Sequence, residues 1–459
     1  MDAESARQWV HIGSGLFALA LRALTWWQAA ALAGFALLFN ALALPRIGGR
    51  RLYRPVDEAR GFPLGILLYP LAVLLLILIF PARLDIAAVA WAILAFGDGS
   101  ATLVGRAVST RARAAAAGRA HSSQTTLASS LPWHRDKTIA GTMAFVVCGA
   151  VGGVAFAWWV RPNVAPLPPV AFTIAAPIVA AIAAGFVETI PVQLDDNVSV
   201  PAAAALVLWL ASLMAADVWH ASRAGVVAAA PWAIGVNAVA AWLGYRARTV
   251  SRSGALGGFV VGTTIYLGAG IGAWLLLFAT FLAASISSRL GLRRKMVLGI
   301  AEERGGRRGA GNAIANCGVA AAAAIAAVTT PYAAAARLAI AASLAAGGSD
   351  TVASEIGKAW GRSTYSIVSF SRVKQGTPGA MSLEGTAAGI VAALALAAIG
   401  VAAGLIPSSA TITVVVAATA GALVESLLGA TLEGPGILNN DMLNFINTAV
   451  AAAVALWIV

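Results

Sequence analysis

The 459-residue chain carries few of the side chains on which several common protein classes depend. Cys148 and Cys317 are its two cysteines, and they lie far apart in or beside apolar segments, so a disulfide framework has no support. Its four histidines are scattered along the chain, which argues against a histidine-based zinc site. The sequence contains no Gly-x-x-x-x-Gly-Lys-Ser/Thr, and a P-loop is therefore excluded.

Charge is also scarce, whereas long apolar runs are abundant. Only 11% of the residues are charged, 60% are hydrophobic, and the mean hydropathy is +0.83. The apolar runs repeat at lengths near the ~20 residues that cross a bilayer as a helix. The composition therefore predicts an all-α, polytopic helical membrane protein with about fourteen transmembrane helices.

The net charge of +12 could indicate a nucleic-acid partner, but its distribution does not. The basic residues fall in loops between the apolar runs, and placing those loops in the cytoplasm satisfies the positive-inside rule. A nucleic acid polymer is thus unnecessary as a partner. The same rule predicts that the polar ends of the apolar runs that carry acids and glycines face the cytoplasm.

One stretch combines acids and glycines where a chain rich in Ala, Val and Leu has little reason to carry charge. It covers residues 347–357, Gly-Gly-Ser-Asp-Thr-Val-Ala-Ser-Glu-Ile-Gly, and is followed by the loop 376–379 and by 382–386. Ionisable groups at the end of a membrane helix are costly unless they bind something. We interpret this stretch as half of an active-site region, and an earlier copy of it begins at Gly97.

Features of this stretch recur in the same order in the first half of the chain. The pairs are Asp98 with Asp350, Gly141-Thr142 with Gly385-Thr386, Val187-Glu188 with Val424-Glu425, and Asp196-Asn197 with Asn440-Asp441. Their offsets are nearly constant and each pair is expected on one membrane side. Short patterns also recur by chance, but four in order favour two related parallel repeats. We predict membrane domains at 1–245 and 246–459.

Carboxylates and Asn at helix ends are ligands suited to Mg²⁺, which binds through one or two carboxylates plus substrate phosphates. Glycines allow the backbone to approach a phosphate, and nearby basic residues supply positive charge. The candidate metal ligands are Asp98, Asp195, Asp196, Asp350 and Asp441. The candidate catalytic residues are Asp98, Lys137, Glu188, Asp350, Glu384 and Glu425. The candidate substrate- and nucleotide-binding residues are Gly97, Gly99, Arg106, Arg135, Asn197, Ser349, Thr351, Glu355, Arg372, Lys374, Gly376, Gly379, Gly385, Asn312 and Asn316.

Each of these residues also has a structural interpretation. An acid at a helix end is commonly a cap or a surface charge. Asn316 and Asn447 can form hydrogen bonds between helices, and Glu355 with Lys358 can belong to the polar face of a helix.

Two membrane kinase families share motifs with the two halves. Residues 9–219 resemble the phytol kinase/dolichol kinase family, in which a Glu is usual where Ala140 stands. The matching segments are His11-Ile12-Gly13-Ser14-Gly15, Gly97-Asp98-Gly99-Ser100-Ala101 to Gly105-Arg106, Pro132-Trp133 to Lys137-Thr138, and Glu188 to Asp195-Asp196-Asn197. Residues from 254 onward are similar to the phytyl-phosphate kinase family. The matching segments are Gly305-Gly306-Arg307-Arg308, Ser349 to Gly357, Gly376-Thr377-Pro378-Gly379, Gly385-Thr386 and Ser426 to Thr431.

The resemblance implies a bifunctional isoprenoid kinase that converts phytol, or a similar prenyl alcohol, to the monophosphate and then to the diphosphate. It implies CTP as phosphate donor and Mg²⁺ as cofactor, with the lipid substrate held in the membrane. A cytidylyltransferase acting on a lipid phosphate and a transporter with repeated halves are the alternatives. The sequence makes no prediction of oligomeric state.

Overall fold

The structure is a computed structural model that describes residues 3–47, 64–117, 129–131, 134–190, 194–300 and 307–459. These residues form helices and two short antiparallel β-hairpins, arranged in two compact units, Met1–Ser212 and Leu213–Val459. Pro132, Trp133, Gly305 and Gly306 of the matched motifs lie outside the described residues.

The first unit contains eight helices and one hairpin among its described residues. The helices are α1 Ala3–Gly15, α2 Trp26–Leu38, α3 Leu64–Ile79, α4 Leu84–Ala92, α5 Gly99–Ala117, α6 Ile139–Val160, α7 Val170–Glu188 and α8 Asp196–Ser212. A π-helical segment, Ile93–Asp98, joins α4 to α5, and β1 Ser130–Leu131 pairs with β2 His134–Thr138. Helix α4 is the centre of this unit, because its apolar side chains are almost all buried.

In the second unit, four helices precede a long central helix, and a hairpin and three further helices follow it. A hairpin and three further helices likewise end the first unit, where α4, the π-helical segment and α5 precede them. The helices of the second unit are α9 Ala216–Arg246, α10 Arg252–Arg289, α11 Leu292–Val297, α12 Ala310–Thr329, α13 Ala333–Trp360, α14 Leu383–Ala402, α15 Thr411–Leu428 and α16 Asn440–Ile458. The hairpin pairs β3 Thr364–Ser366 with β4 Ala380–Ser382. Helix α10 has a kink at Gly270, whose φ of +78° suits glycine.

The unit boundary lies before α9, whereas the predicted domain boundary lies at its end. Helix α9 packs along α10 and α12, and the backbone N–H of Ala215 donates to Thr329 O at 2.8 Å. Asn237 of α9 is buried and accepts a hydrogen bond from Trp274 Nε1 of α10 at 3.0 Å. These contacts place α9 with the second unit.

Ten helices of the described residues are long and apolar enough to cross a membrane. Helices α3 and α8 are shorter apolar helices. The fold class predicted from composition is therefore confirmed as all-α with multiple candidate spans. The count of about fourteen transmembrane helices stays a prediction.

The hairpin of each unit delivers the chain to a helix through the same local packing. Thr138 caps α6 by accepting a hydrogen bond from Gly141 N at 3.1 Å, and Ser382 caps α14 by accepting one from Gly385 N at 3.1 Å. A methyl group at Gly105 would lie 3.0 Å from the Thr138 hydroxyl oxygen, and one at Gly357 would lie 3.0 Å from that of Ser382. Small residues thus let α5 in the first unit and α13 in the second unit approach the cap closely.

Candidate active sites

A cavity of about 250 Å³ opens between α13, α14 and α15 of the second unit. One wall is the face of α13 that carries Ser349, Asp350 and Lys358, and the loop at residues 375–379 forms another wall. The N-terminal part of α14 and the C-terminal part of α15 also line the cavity, together with residues of the hairpin, Glu433 and the first turn of α16. The cavity therefore collects most of the stretch that stood out in the sequence.

Two carboxyl groups lie against each other at this cavity. Asp350 of α13 contacts Glu425 of α15 through their side chains, and both residues line the cavity. Two adjacent carboxylates repel each other, so such a pair either keeps one proton or takes up a cation. Glu425 Oε2 is buried and accepts no hydrogen bond from the described residues. The side-chain amide of Asn447, which is fully buried beside Glu425, also makes no hydrogen bond of good geometry with any residue that the structure describes.

These unsatisfied polar atoms fit a bound hard cation. Buried polar groups normally have partners, and leaving one without a partner costs about 1–3 kcal/mol. Mg²⁺ takes one or two carboxylates and completes its shell with water and phosphate oxygens. Asp350 and Glu425 are the residues that would hold Mg²⁺ in this unit.

Lys358 supplies positive charge to the cavity wall. From the sequence, it was interpreted as part of the polar face of a helix. Its ammonium group lies 3.2 Å from Glu355 Oε1, and the side chain is partly exposed. Glu355 is in turn bonded to Lys295 of α11, and both of these side chains are almost fully buried. Lys358 lies two turns after Asp350 on α13, and this i+8 spacing is the signal that could have identified it.

Backbone groups at the cavity suit a phosphate. Gly376 and Gly379 have φ values of +82° and +65°, so the loop between them turns in a way that favours glycine. A methyl group on Gly379 would collide with the backbone N of Ala430 and the carbonyl O of Ser426. Gly385 and Thr386 place the N-terminus of α14 at the cavity, where the helix dipole favours an anion.

Several predicted residues of the second unit lie elsewhere. Glu384 accepts a hydrogen bond from Arg362 N at 3.3 Å, and Glu355 is occupied by its two lysines, so neither acid lines the cavity. Arg372 Nη2 donates to Arg362 O and Ser363 Oγ. The others that do not line it are Thr351, Lys374, Asp441, Asn312 and Asn316.

The first unit holds a cluster of three acids, Asp98, Glu188 and Asp196. One ligand atom from each lies within 4.8 Å of the others. Lys137 of β2 contacts Glu188 and lies 3.3 Å from Asp196 Oδ2. Three carboxylates face one ammonium group, and the buried Glu188 Oε2 accepts no hydrogen bond from described residues. The cluster thus has negative charge and a free ligand atom for a cation such as Mg²⁺.

The environment of Lys137 favours its charged form. Burial by itself lowers the pKa of a lysine, but here the carboxylates of Asp196, Glu188 and Asp98 outweigh it and raise the pKa of Lys137 above its ordinary value. The ammonium group therefore stays charged at neutral pH. It can compensate acidic neighbours or an incoming phosphate.

Other predicted residues of the first unit surround this cluster without joining it. Asp195 Oδ1 accepts hydrogen bonds from Asn197 N and Nδ2 at 2.9 and 2.7 Å, so both residues are engaged in the N-terminal turn of α8. Gly97 packs on the ring of Phe145. Gly99 lies against Ile12, Arg106 is exposed on α5, and Arg135 lies in β2. His11 was not among the candidate site residues, and its Nε2 lies 3.5 Å from Asp98 Oδ2.

Comparison with known proteins gives matches over nearly half of the chain. Membrane protein sll0875 of Synechocystis sp. is 40% identical over 203 residues, which cover 44% of this chain and 79% of the relative. Protein VTE6, chloroplastic, of Arabidopsis thaliana is 37% identical over 217 residues, covering 45% of this chain and 64% of the relative. Membrane protein MJ0933 of Methanocaldococcus jannaschii is 30% identical over 217 residues, 46% of this chain and 87% of the relative.

No solved structure matches the chain significantly. Residues 235–452 match the family described as integral membrane protein DUF92, and this range contains the whole Asp350 cavity. The protein is thus an integral, multi-pass membrane protein with a helical fold. Through its second half, the chain belongs to the DUF92 family of integral membrane proteins.

Proposed function

We propose that the second unit is a membrane phosphotransferase that adds a phosphate to an isoprenoid monophosphate, with CTP as donor and Mg²⁺ as cofactor. The observation that carries this proposal is the meeting of Asp350, Glu425 and Lys358 with the loop 376–379 in one cavity. The resemblance of these motifs to the phytyl-phosphate kinase family supports the substrate class. The choice of CTP rests on that resemblance alone.

The proposed reaction requires little covalent chemistry from the protein itself. An oxygen of the prenyl phosphate forms a bond to the γ-phosphorus of CTP, the bond from that phosphorus to the β–γ bridging oxygen breaks, and CDP leaves. Positioning and charge neutralisation supply most of the catalysis in such transfers. Mg²⁺, when bound, would neutralise charge on the donor phosphates. Asp350 and Glu425 would hold that cation at the cavity.

Three further groups hold the phosphates. The ammonium group of Lys358 contacts phosphate oxygens as a point charge. Backbone N–H groups of the loop at Gly376–Gly379 and of the first turn of α14 donate to the remaining oxygens. The apolar surfaces of the membrane helices hold the prenyl chain. Lys358 and the backbone N–H groups stabilise the charge that develops as the phosphoryl group moves between two oxygens.

We propose that the first unit phosphorylates the prenyl alcohol, which makes the protein bifunctional. The cluster of Asp98, Glu188 and Asp196 with Lys137 supports this step, as does the resemblance of residues 9–219 to the phytol kinase/dolichol kinase family. The amphiphilic monophosphate would stay in the bilayer between the two reactions. The basic loops between the apolar segments support a cytoplasmic orientation of both sites by the positive-inside rule.

The decisive experiment assays the two steps separately on purified protein with Mg²⁺ and labelled CTP. Phytol and phytyl phosphate are supplied in turn to the wild type and to Asp98→Ala and Asp350→Ala variants. Independent sites predict that Asp98→Ala loses phosphorylation of the alcohol alone and that Asp350→Ala loses phosphorylation of the monophosphate alone. Absence of phosphorylated lipid with the wild type on either substrate would refute the kinase proposal, and release of pyrophosphate would indicate a cytidylyltransferase.

A further inference from the structure

Lys358, which supplies positive charge to the Asp350 cavity, belongs to a chain of three charged side chains that leads away from the cavity. Glu355 lies one turn before Lys358 on α13, and each of its carboxylate oxygens accepts from a different lysine. Oε1 accepts from Lys358 Nζ at 3.2 Å, and Oε2 accepts from Lys295 Nζ of α11. Neither Glu355 nor Lys295 is among the described residues that line the cavity, and both are almost fully buried. Direct contact with a substrate therefore does not explain their charges.

Lys295 holds Glu355 in one orientation. The ammonium group of Lys295 also donates to the carbonyl oxygen of Ser288 at 2.8 Å and lies 3.5 Å from that of Ser287. These two carbonyl oxygens and the carboxylate together match the three donors of an ammonium group. Glu355 thus has a fixed partner at one oxygen, and its other oxygen is directed at Lys358.

The segment that carries Lys295 also packs on two walls of the cavity. A methyl group on Gly291, just before α11, would lie 2.7 Å from the Cβ of Ala359 on α13. After α11, Ile300 packs on Gly376 of the cavity loop, where a methyl group would lie 2.7 Å from Ile300 Cγ2. Because both ends of the segment contact cavity walls, Lys295 is held in place relative to the groups that face the phosphate.

The charges of the three residues leave one positive charge over. Glu355 carries one negative charge and the two lysines carry two positive charges, so Lys295 compensates the carboxylate and the charge of Lys358 stays available to an anion. A lysine side chain has many rotamers and loses conformational freedom when a ligand fixes it. A neighbour that holds the ammonium group before the phosphate arrives reduces that loss and favours binding.

We propose that Glu355 and Lys295 are positioning residues of the second unit: Glu355 holds the ammonium group of Lys358 at the phosphate, and Lys295 orients and compensates Glu355. This inference rests on the phosphotransferase function proposed for the Asp350 cavity and deepens it. Both residues act through Lys358 and touch no substrate themselves. An ion pair with a purely structural role would stabilise the helices and leave the contribution of Lys358 to the reaction unchanged.

A double-mutant cycle between Lys358 and the buried pair tests the proposal on the full-length protein. Lys358→Met is made in the wild type and in the double variant Lys295→Met with Glu355→Leu. The double variant removes both buried charges together, so neither of them is left unpaired. The values of kcat and KM for the prenyl monophosphate are measured with Mg²⁺ and CTP.

The two backgrounds should respond differently to loss of Lys358. In the wild type, Lys358→Met should lower kcat/KM by about 10²–10³. The double variant should already lose about tenfold or more, mainly through a raised KM, because Lys358 is no longer held at the phosphate. Lys358→Met in that background should therefore cost about tenfold at most.

The split between kcat and KM separates displacement of Lys358 from general damage. Partial unfolding lowers the apparent kcat through loss of active protein and leaves KM unchanged, whereas a displaced phosphate contact raises KM. Asp217→Asn is the matched control, because Asp217 is an exposed carboxylate of α9 that does not line the cavity, and it should leave both constants unchanged. Should the double variant fail to fold, the cycle is repeated with Glu355→Gln, which keeps the shape of the side chain and removes its charge.

The outcomes distinguish failure of this inference from failure of the proposed function. A smaller effect of Lys358→Met in the altered background, together with a raised KM, supports positioning. An effect of Lys358→Met that is equal in the two backgrounds within about threefold would overturn it, and so would an altered background with wild-type kcat/KM. If the wild type does not phosphorylate the monophosphate, the phosphotransferase proposal itself is refuted, and the positioning role with it.

Discussion

Replacement of one partner of the buried Lys295–Glu355 ion pair should clearly lower the stability of the protein. Lys295 is 1% exposed and Glu355 2% exposed, and Lys295 Nζ also donates to Ser288 O at 2.8 Å. Lys295→Met removes the ammonium group and leaves the buried Glu355 with Lys358 as its one ion-pair partner among the described residues. Loss of one partner from a buried pair costs about 3–5 kcal/mol.

The size of this effect can be measured as a thermal shift. For a unit of this size, 1 kcal/mol corresponds to about 2–4 °C, so Lys295→Met should lower the Tm of the purified protein by about 10 °C. Far-UV circular dichroism in detergent follows the loss of helix. The double variant Lys295→Met with Glu355→Leu should recover most of the loss, because it removes the uncompensated charge and fills the space with apolar atoms.

An exposed basic residue of the same unit supplies the control. Arg372 is exposed, and its guanidinium contacts only loop oxygens among the hydrogen bonds described, so Arg372→Met should shift the Tm by no more than about 2 °C. A Tm for Lys295→Met equal to that of Arg372→Met would refute the reasoning. Further loss in the double variant would also refute it, since the charge left behind would then not be the cause.

Three further predictions concern the two candidate active sites. Lys358→Met should lower kcat/KM for the prenyl monophosphate by about 10²–10³ with little change for the alcohol, because it removes a phosphate contact from one unit; equal loss in both steps would contradict this. Gly379→Ala should cost more activity and stability than Gly404→Ala, because both have positive φ but only Gly379 has backbone atoms in the way. The pKa of Lys137 is raised in the folded protein, so its contribution to stability is full below its ordinary pKa and disappears only as pH rises through the pKa in the folded protein. The Tm difference between wild type and Lys137→Met should therefore be constant from about pH 6 to pH 9. A Tm difference that vanishes by pH 8 would contradict the ion pairing of Lys137 with the acid cluster.

The acids were predictable from sequence because charge in an apolar segment is expensive. Asp350 and Glu425 stood out as acids in apolar segments, and the structure brings their side chains together. Glu425 lies near the end of α15, as predicted, whereas α13 continues to Trp360, so the helix end predicted at Asp350 is wrong. The direction of each side chain around its helix was harder to predict. Asp350, Ser354 and Lys358 follow one face at steps of four and line the cavity, whereas Glu355 lies on another face with Lys295.

Long-range packing decided what the sequence pattern could not. Lys295 follows a basic loop and looked like one more positive-inside residue, yet the turn at Gly291, with φ of +63°, directs α11 back so that Lys295 is buried. The apolar pattern of α9 likewise predicts a span without indicating which unit it joins. Its contact with α10 through Asn237 and Trp274 depends on tertiary structure.

The two units have similar helix caps, but the lysine near each group of acids comes from a different element. Lys137 precedes the cap residue Thr138, and Met381 precedes the corresponding cap Ser382, so the strand that carries the lysine in one unit carries a neutral side chain in the other. In the first unit that lysine already neutralises Glu188 and Asp196. In the second unit the cation of the cavity wall is Lys358, which pairs with Glu355. The carboxyl pair at Asp350 therefore has more need of an added cation than the cluster at Asp98, because no lysine ion pair among the described residues neutralises it.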